Sequence, residues 1–431
     1  MHRVLVWPAG TEIGLEVHRA LSSARNIELV GASAPTFNHA PYVYKEYIDL
    51  PPVSEPGWLD ALRDALILHE ISIVYPAHDE VMEQLASHRQ QVDTIVVSSP
   101  AETCRTTRSK RATYRHFSKL LRVPFEHQTV SDIKEFPVFF KPDRGQGSQG
   151  TVVVDSPRHL EFLIDKHDGW DSMFRDNLIL EYLPGPEYTV DCFSDRERGL
   201  LYAGPRERLR VRNGISVTST FVPTEEFLPL AKIINGALEM WGGWFFQVKR
   251  TVSSELALLE VGARVAGTSS LSRVRGINLP LLSIYEQLRV SVALLPNSMS
   301  VTVDRALDNR YRHSLHYERV YLDLDDTLIR DGLVDTNVVR FVFQCVNRGI
   351  PVELLTRHDG DLQGTLHRHR LQGLFDRVTH VRPPGDKVDV IEPNGAIFID
   401  DSYTERRAVT ARFSIPTFDG SMLEMLFDDR S

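Results

Sequence analysis

The chain has 431 residues, of which 42% are hydrophobic and 25% are charged, and its formal net charge is −9. This length exceeds what one ordinary hydrophobic core holds, so we expect two to four domains. The negative charge argues against a sequence-independent grip on nucleic acid or on an anionic membrane surface.

Cysteine usage and the first residues indicate the compartment. Three cysteines, Cys104, Cys192 and Cys345, lie far apart without a CxxC pair. This spacing excludes a zinc site built from cysteines and fits a reducing environment. The first residues enter an apolar run directly, without the basic start of a signal peptide, and no segment approaches the about 18 apolar residues of a membrane span. We therefore expect a cytoplasmic protein without a membrane partner.

The first hundred residues alternate short apolar runs with helical patterns. Predicted strands cover 4–7, 27–32, 71–75 and 94–97, and predicted helices cover 15–22 and 58–69. Strands separated by helices indicate a parallel sheet, so residues 1–100 are predicted to form an α/β domain. The turn from Pro8 to Gly14 is too degenerate for a dinucleotide-binding loop, and we interpret it as a structural turn.

The pattern changes after residue 100. Alternation at 187–193 and 217–221 predicts antiparallel strands, and helical patterns follow at 225–240 and 281–294, which indicates an α+β domain over 101–295. The polar segment 296–317 is predicted to be a linker. Apolar runs separated by helical patterns then return at 319–324, 351–356 and 396–400, which predicts a second α/β unit over 318–431.

A glycine-rich loop follows a lysine in the α+β region. Lys141 ends a predicted strand and precedes Gly145, Gly147, Ser148 and Gly150. Glycine lets the amides of such a loop approach phosphates without Cβ clashes. No helix-opening GK[ST] follows, so this is not a Walker loop. Taken alone, the loop fits a plain glycine-rich hairpin better than a phosphate site.

Further motifs follow the loop in order. They are the segment 178–191, the basic stretch 206–212, Gln247, the segment 259–264 and the segment 275–280. In this order the motifs resemble the ATP-grasp ligases over about 1–295, most closely the carbamoyl-phosphate-synthetase-like branch. The first hundred residues then fit the α/β domain that precedes the ATP-grasp domain in that family.

The resemblance implies a nucleotide site. Lys110 and Lys141 would contact the nucleotide phosphates, and the 145–150 loop would cover them. Glu187 would bind the ribose hydroxyls. The expected adenine contacts come from Glu181, Tyr182 and Leu183.

The resemblance also implies the metal and catalytic groups. Gln247 and Glu260 would hold Mg²⁺, and Arg264 would stabilise the transferred phosphoryl group and the acyl-phosphate. The family usually has asparagine and proline where this chain has Gly262 and Ala263. A ligand for a second metal is therefore missing or comes from elsewhere, with 253–255 nearby in the sequence.

The basic stretch has two interpretations. Arg206, Arg208, Arg210 and Arg212 alternate along a predicted strand and so share one face. A solvated edge strand protected by charge explains them. Recognition of a substrate carboxylate or phosphate explains them as well.

Acidic residues follow two of the C-terminal strands. Asp323, Asp325 and Thr327 form a DxDxT motif after an apolar run, and Asp400 and Asp401 follow another. The carboxyl ends of parallel strands are where open α/β sheets bind ligands. Aspartates separated by one residue suit Mg²⁺, although each pair alone also fits a solvated loop or a helix cap.

With Thr356 at the end of a third strand and Lys387 beyond it, these motifs resemble the haloacid-dehalogenase-like (HAD) phosphatases over 318–431. The resemblance implies that Asp323 attacks phosphorus and forms an aspartyl-phosphate, while Asp325 acts as general acid and base. Thr356 and Lys387 would hold the phosphoryl oxygens. The implied Mg²⁺ ligands are Asp323, Asp325, Asp400 and Asp401.

The spacing of these motifs implies a capless Rossmann-like domain, because each interval that carries a cap in the family holds only about one helix here. His358, His367 and His369 are not expected to bind metal, since the aspartate site is already complete.

The sequence thus predicts a bifunctional enzyme with ATP and Mg²⁺ as cofactors. An ATP-dependent ligase would join a small-molecule carboxylate to an amine or another nucleophile, and a fused phosphatase would hydrolyse a phosphoester. The chief alternative is a phosphatase whose ATP-grasp region only binds or senses nucleotide. A non-enzymatic scaffold fits poorly with four intact phosphatase motifs, and an oligomer is possible.

Overall fold

The computed structural model describes residues 1–145, 147 and 149–430. The chain divides into two compact units, Met1–Leu307 and Asp308–Ser431. Both units combine helices with sheets, so the predicted mixed α/β and α+β class is confirmed. In the described ranges, no helix is both long and apolar enough to cross a membrane.

The first unit begins with a five-stranded parallel sheet of order β3-β2-β1-β4-β5. Its strands are β1 (His2–Trp7), β2 (Ile27–Ser33), β3 (Glu46–Asp49), β4 (Ile73–Pro76) and β5 (Ile95–Val96). The accompanying helices are α1 (Glu12–Leu21), α2 (Trp58–Leu68) and α3 (Asp79–Ser87), followed by α4 (Ala101–Arg108) and α5 (Lys110–Phe117). Gly14 is required in the first turn of α1, because a Cβ there would overlap the Ala9 carbonyl oxygen in the preceding turn.

Two antiparallel sheets complete this unit. The smaller sheet has the order β7-β6-β8, with β6 (Val138–Pro142), β7 (Val152–Val154) and β8 (Asn177–Glu181). The larger has the order β13-β12-β9-β10-β11-β14, with β9 (Glu187–Asp195), β10 (Gly199–Arg212), β11 (Ile215–Phe221), β12 (Gly242–Arg250), β13 (Leu256–Gly262) and β14 (Thr302–Asp304). The helices are α6 (Pro157–Lys166), α7 (Trp170–Asp176), α8 (Leu228–Ala237), α9 (Ser270–Val274) and α10 (Leu279–Gln287).

Part of the predicted linker belongs to the larger sheet. Thr302–Asp304 form β14, and Asp304 pairs with Thr218 of β11. The sequence signal failed here because a three-residue edge strand among polar residues resembles a loop. The chain divides into its two compact units between residues 307 and 308, after the start of the predicted linker.

The second unit contains a five-stranded parallel sheet of order β19-β18-β15-β20-β21. Its strands are β15 (Arg319–Leu322), β18 (Val352–Thr356), β19 (Arg377–His380), β20 (Ala396–Ile399) and β21 (Thr417–Phe418). A short hairpin of β16 (Ile329–Arg330) and β17 (Leu333–Val334) precedes α11 (Thr336–Asn347), and α12 (Leu362–Arg368) and α13 (Tyr403–Phe413) follow. β15 lies at the centre, so the residues after it and after its neighbours β18 and β20 meet at one sheet edge.

Candidate functional site

A cavity of about 350 Å³ lies in the first unit and has the size of a small-molecule site. Its wall includes residues from both antiparallel sheets and from the turns that precede α1 and α3. The predicted site residues on this wall are Lys110, Lys141, Gly145, Gly147, Glu187, Gln247, Glu260 and Arg264. The fold thus unites groups that the sequence spreads over more than 150 residues.

Two lysines face this cavity from different elements. Lys110 begins α5, and its Nζ donates hydrogen bonds to the carbonyl oxygens of Asp143 (3.3 Å) and Gly145 (3.0 Å). Lys141 is buried on β6, and its Nζ donates to Tyr114 Oη at 2.6 Å and to Leu259 O at 3.4 Å. Burial, followed by the nearby charge of Lys110, lowers the pKa of Lys141 to about 7. An incoming anion would favour its charged form.

Gln247 and Glu260 face each other across β12 and β13. Directly opposed residues of an antiparallel pair leave the same face of the sheet, so both side chains reach the cavity wall. Arg208 approaches this pair from β10. Its Nη1 donates to Glu187 and, at 3.4 Å, to Gln247, and its Nη2 donates to Gly214 O at 2.7 Å.

Arg264 is held by a carboxylate that the sequence analysis missed. Its Nε and Nη2 donate to the two oxygens of Asp79 at 2.7 and 2.6 Å, and both groups are largely buried. Burial opposes both charges, but their pairing lowers the pKa of Asp79 and raises that of Arg264. Asp79 is the first residue of α3, where the helix dipole also favours a negative charge. No local pattern distinguishes it from an ordinary acidic helix start.

Gly262 lies against an aromatic ring. It pairs with Phe245 on β12, and a Cβ at position 262 would overlap the Phe245 ring. An asparagine therefore does not fit at this position in the observed packing. Residues 253–255 are exposed, and none of them is among the described residues that line the cavity. The position for a second metal thus lacks the side chain that the family usually provides.

Several predicted nucleotide contacts lie away from the cavity wall. Glu181 Oε1 accepts hydrogen bonds from Arg122 Nη2 and from the Phe125 amide (2.9 Å). Among the described residues, the cavity lining does not include Glu181, Tyr182, Leu183 or Gly150. The prediction for Ser148 lies outside the described residues.

The four alternating arginines do not share one environment. β10 lies between β9 and β11, so it is not an edge strand. Arg206 is buried and paired with Asp191 at 3.1 and 3.2 Å, whereas Arg210 is exposed and pairs with Asp304. Register shifts on either side of Arg210 break the alternation. Only Arg206 and Arg208 reach the cavity wall among these four arginines, and the edge-strand interpretation is wrong for both.

A second cluster lies at the central edge of the second unit's sheet. Asp323 follows β15, and Asp400 and Asp401 follow β20. One ligand oxygen from each lies within 4.8 Å of the others. Lys387 Nζ donates to Asp323 and to Asp400, at 2.7 Å in both cases, and all three groups are buried. Burial raises the pKa of Asp323 to about 7 despite Lys387, and it also raises the pKa of Asp400. Clustered acids of this kind favour an added cation.

The remaining predicted residues of this unit follow β15 or end β18, and Asp325, predicted as a Mg²⁺ ligand, is not among the described side chains that form the cluster. Thr356 ends β18, is buried, and its Oγ1 accepts a hydrogen bond from the His358 amide at 3.0 Å. Thr327 Oγ1 accepts from the Asp401 amide at 2.9 Å. Asp325 lies beside His358, whose Nδ1 is 2.9 Å from its Oδ1. His358 was considered only as a metal ligand in the sequence analysis, and its contact with Asp325 was missed.

Comparisons with known proteins bear on the first unit. A family model described as "ATP-grasp in the biosynthetic pathway with Ter operon" matches residues 173–307. No curated protein sequence matches the chain.

Similar solved structures share the fold at low identity. The biotin carboxylase domain of Hydrogenobacter thermophilus 2-oxoglutarate carboxylase, in complex with MgADP, ADP and bicarbonate, has 13% identity and a TM-score of 0.55, covering 66% of this chain and 69% of its own. N5-carboxyaminoimidazole synthetase from Staphylococcus aureus, complexed with ADP, has 13% identity and a TM-score of 0.52, covering 69% and 78%. The L-amino acid ligase from Bacillus licheniformis has 17% identity and a TM-score of 0.50, covering 67% and 74%. The first unit therefore has the ATP-grasp fold.

Proposed function

We propose that the first unit is an ATP-dependent ligase that activates a carboxylate as an acyl-phosphate and joins it to an amine. The observation that carries this proposal is the shared cavity wall, on which Lys110, Lys141, Gln247, Glu260 and Arg264 meet. The two lysines would bind phosphate, the side-chain oxygens of Gln247 and Glu260 would bind a metal ion, and the guanidinium of Arg264 is held in a fixed position. ATP and Mg²⁺ as cofactors are supported by the similar solved structures, which were captured with MgADP or ADP.

The residues of this cavity fit one Mg²⁺ ion. Gln247 and Glu260 offer an amide oxygen and a carboxylate on the same face of adjacent strands, and Mg²⁺ prefers such oxygen ligands. When bound, the ion would neutralise charge on the phosphate oxygens. Gly262 offers no third side chain, because the Phe245 ring occupies that space.

The proposed reaction proceeds in two steps. A carboxylate oxygen attacks the γ-phosphorus, the bond to the β–γ bridging oxygen breaks, and ADP leaves. The amine nitrogen then attacks the acyl carbon, the bond from carbon to the phosphate oxygen breaks, and the nitrogen loses a proton. Arg264 would stabilise the charge in both steps, and its clamp by Asp79 limits the reorganisation this requires.

The test is ADP release that depends on both a carboxylate and an amine. The full chain carrying Asp323→Asn, which removes background phosphoester hydrolysis, would be incubated with Mg²⁺, ATP and pooled metabolites. We expect ADP above the ATP-only background, and its loss in Glu260→Gln. Glu102→Gln, at an exposed acid on α4, is the matched control and should retain activity. If no pool raises ADP release, the ligase proposal is wrong.

We further propose that the second unit is a Mg²⁺-dependent phosphatase of the HAD type. Support comes from Asp323, Asp400 and Asp401 converging around Lys387, with Thr356 at the neighbouring strand end. Asp323 would attack phosphorus and form an aspartyl-phosphate while Asp325 protonates the leaving oxygen. Asp325 would then accept a proton from the water that releases phosphate. The loops between β15 and β18, and between β18 and Lys387, each contain one helix, which supports a capless site.

One observation favours the alternative in which the ATP-grasp domain only binds nucleotide. The Phe245 ring fills the space beside Gly262, so this chain has fewer metal ligands than the family usually has. The two possibilities differ in the assay above. A regulatory domain would bind MgADP without releasing ADP from ATP, and nucleotide would change the rate of phosphoester hydrolysis.

A further inference from the structure

The cavity wall of the first unit includes an ion pair that the proposed nucleotide site does not use. Glu12, at the start of α1, and Arg305, after β14, both line the cavity. Their side chains come from opposite ends of the unit's sequence and lie beside Ser216 and Gly267. We define Glu12 and Arg305 as the rim pair.

The rim pair is loose. Glu12 Oε2 and Arg305 Nη1 are 3.7 Å apart, which is too long for a hydrogen bond, and the side chains are 43% and 26% exposed. Arg305 Nη1 has a further contact of 3.5 Å with Ser216 O. Within the described residues, no side-chain hydrogen bond to the Glu12 carboxylate is found. Such a pair contributes little to stability and can separate at low cost.

The other three cavity arginines with carboxylate partners are held more tightly, and Arg208 is hydrogen-bonded to Glu187 with both side chains less exposed than those of the rim pair. Arg264 makes two short hydrogen bonds to Asp79, and Arg206 makes two to Asp191, with Ser272 donating to the same carboxylate. Separating any of these three pairs would leave a largely buried charge without compensation. The rim pair is therefore the charged pair on this wall that can exchange its partner for a ligand.

The backbone holds the rim pair close to the proposed reaction centre. Thr11 caps α1 by accepting a hydrogen bond from the Gly14 amide at 3.0 Å, which fixes the start of the helix at Glu12. The Arg305 amide donates to Val217 O at 2.9 Å and continues the pairing of β14 with β11. A Cβ on Gly267 would lie 3.6 Å from Glu12 Oε2. Gly267 is three residues from Arg264, or at most about 11 Å of extended chain.

We propose that the rim pair binds the amine substrate of the ligase, and that this substrate is an α-amino acid. The ammonium group would contact the Glu12 carboxylate, and the ligand's carboxylate would contact the Arg305 guanidinium, which suits planar carboxylates. A simple amine lacks the group for Arg305, and a carboxylic acid without an amino group lacks the one for Glu12. The inference rests on the proposed ligase function for the role of the bound molecule, but not for binding itself.

The test is equilibrium binding to the full chain in the presence of MgADP. Each of the twenty protein amino acids is titrated by calorimetry, and any that binds is compared with its analogues lacking the amino or the carboxyl group. We expect at least one amino acid to bind and both analogues to bind about tenfold more weakly or worse, the scale of one lost charge-assisted hydrogen bond. Glu12→Gln and Arg305→Gln should each weaken binding by a similar factor. Glu197→Gln, at an exposed acid 3.4 Å from Arg289, is the matched control and should bind normally.

Each result decides the question. If none of the twenty amino acids binds, or if Glu12→Gln and Arg305→Gln bind as well as the wild type, the inference is wrong. Binding with the expected dependence but without ADP release from ATP would retain the amino-acid site and reject the ligase. ADP release that depends on amines but is unaffected by both variants would retain the ligase and reject this site.

Discussion

The imidazole of His358 binds both carboxylate oxygens of Asp325, with Nδ1 2.9 Å from Oδ1 and 3.0 Å from Oδ2. The other ring nitrogen, Nε2, lies 3.0 Å from Thr365 Oγ1 on α12, and His380 Nε2 donates to the His358 carbonyl at 2.8 Å. The ring is therefore held at both nitrogens. Asp325 is about half exposed, so this contact restricts a carboxylate that would otherwise move freely. We infer that His358 is a positioning residue for the proposed general acid.

Removing the contact between His358 and Asp325 should have its largest effect on substrates whose leaving group needs a proton. His358→Leu should lower kcat for alkyl phosphates by about 100-fold, the usual scale of general acid catalysis. For p-nitrophenyl phosphate the loss should be much smaller, because this leaving group departs without a proton. The measurement is kcat and KM for both substrates.

Two variants control this experiment. His358→Asn keeps a donor near the Nδ1 position and should recover part of the alkyl phosphate rate. His367→Leu removes a neighbouring histidine whose Nδ1 contacts Gln372 instead, and should leave both rates unchanged. Equal losses on both substrates would mean that His358 supports the fold rather than the acid.

Asp323→Asn should abolish hydrolysis of p-nitrophenyl phosphate by the full chain. An amide of similar shape replaces the proposed nucleophile, so the rate should fall by several orders of magnitude, roughly 10³-fold or more. Near-ultraviolet circular dichroism should show an unchanged fold. Asp359→Asn, at an exposed acid on the loop after β18, should keep its activity. Turnover near the wild-type rate in Asp323→Asn would remove the basis for the phosphatase assignment.

The sequence predicted the site residues that come together because neighbouring strands pair. Asp323 and Asp400 meet because parallel strands end at one sheet edge, and Gln247 and Glu260 meet because the pairing of β12 with β13 aligns them. The strands before Asp323 and Asp400 were recognised from their apolar runs, whereas Gln247 and Glu260 were identified from the order of the motifs. The position of the residue then followed from its place at the strand end or in the motif.

The sequence did not reveal contacts that depend on tertiary packing. Asp79 and Arg264 are 185 residues apart, and neither carries a local sign of the other. Glu12 and Arg305 form a loose pair only because β14 joins the larger sheet, in a segment that reads as a linker. Gly262 was recognised as unusual, but its cause, the Phe245 ring on the neighbouring strand, depends on the β12–β13 register.

Lys141 gives a prediction about pH. Burial and Lys110 lower its pKa to about 7, so above pH 7 the free protein holds mostly neutral lysine. Nucleotide phosphates favour the charged form and raise this pKa, so binding takes up a proton, approaching one per site at pH 8 to 9. Affinity for MgADP should therefore fall as pH rises above 7. Calorimetry in buffers of different ionisation enthalpy measures the proton uptake directly.

Lys141→Arg separates this effect from other titrations. Arginine stays charged over the whole range, so its variant should bind MgADP without proton uptake at position 141. Uptake that persists in Lys141→Arg would assign the proton to another group.

The last prediction concerns the contact between Gly262 and Phe245. Gly262→Asn should destabilise the protein by about 1–3 kcal/mol, because its Cβ overlaps the Phe245 ring and the well-packed β12–β13 pair must shift. Phe245 also lies beneath Arg264, whose guanidinium carbon is 5.2 Å from the ring centroid, so the shift would reach the proposed phosphoryl site. Phe245→Ala alone removes a large buried side chain and should cost about 3–5 kcal/mol. The double variant should be more stable than the sum of the two losses implies, since the new asparagine fills part of the space that the ring leaves. Thermal unfolding of the four proteins measures this coupling.

A Mn²⁺ titration in the presence of ADP, followed by electron paramagnetic resonance, then counts the bound ions. We expect one ion in the wild type's ATP-grasp site and two in the double variant. Asp323→Asn and Asp400→Asn are included in every protein to weaken the other metal cluster. Additive losses, together with an unchanged ion count, would show that Phe245 does not determine which residue fits at position 262.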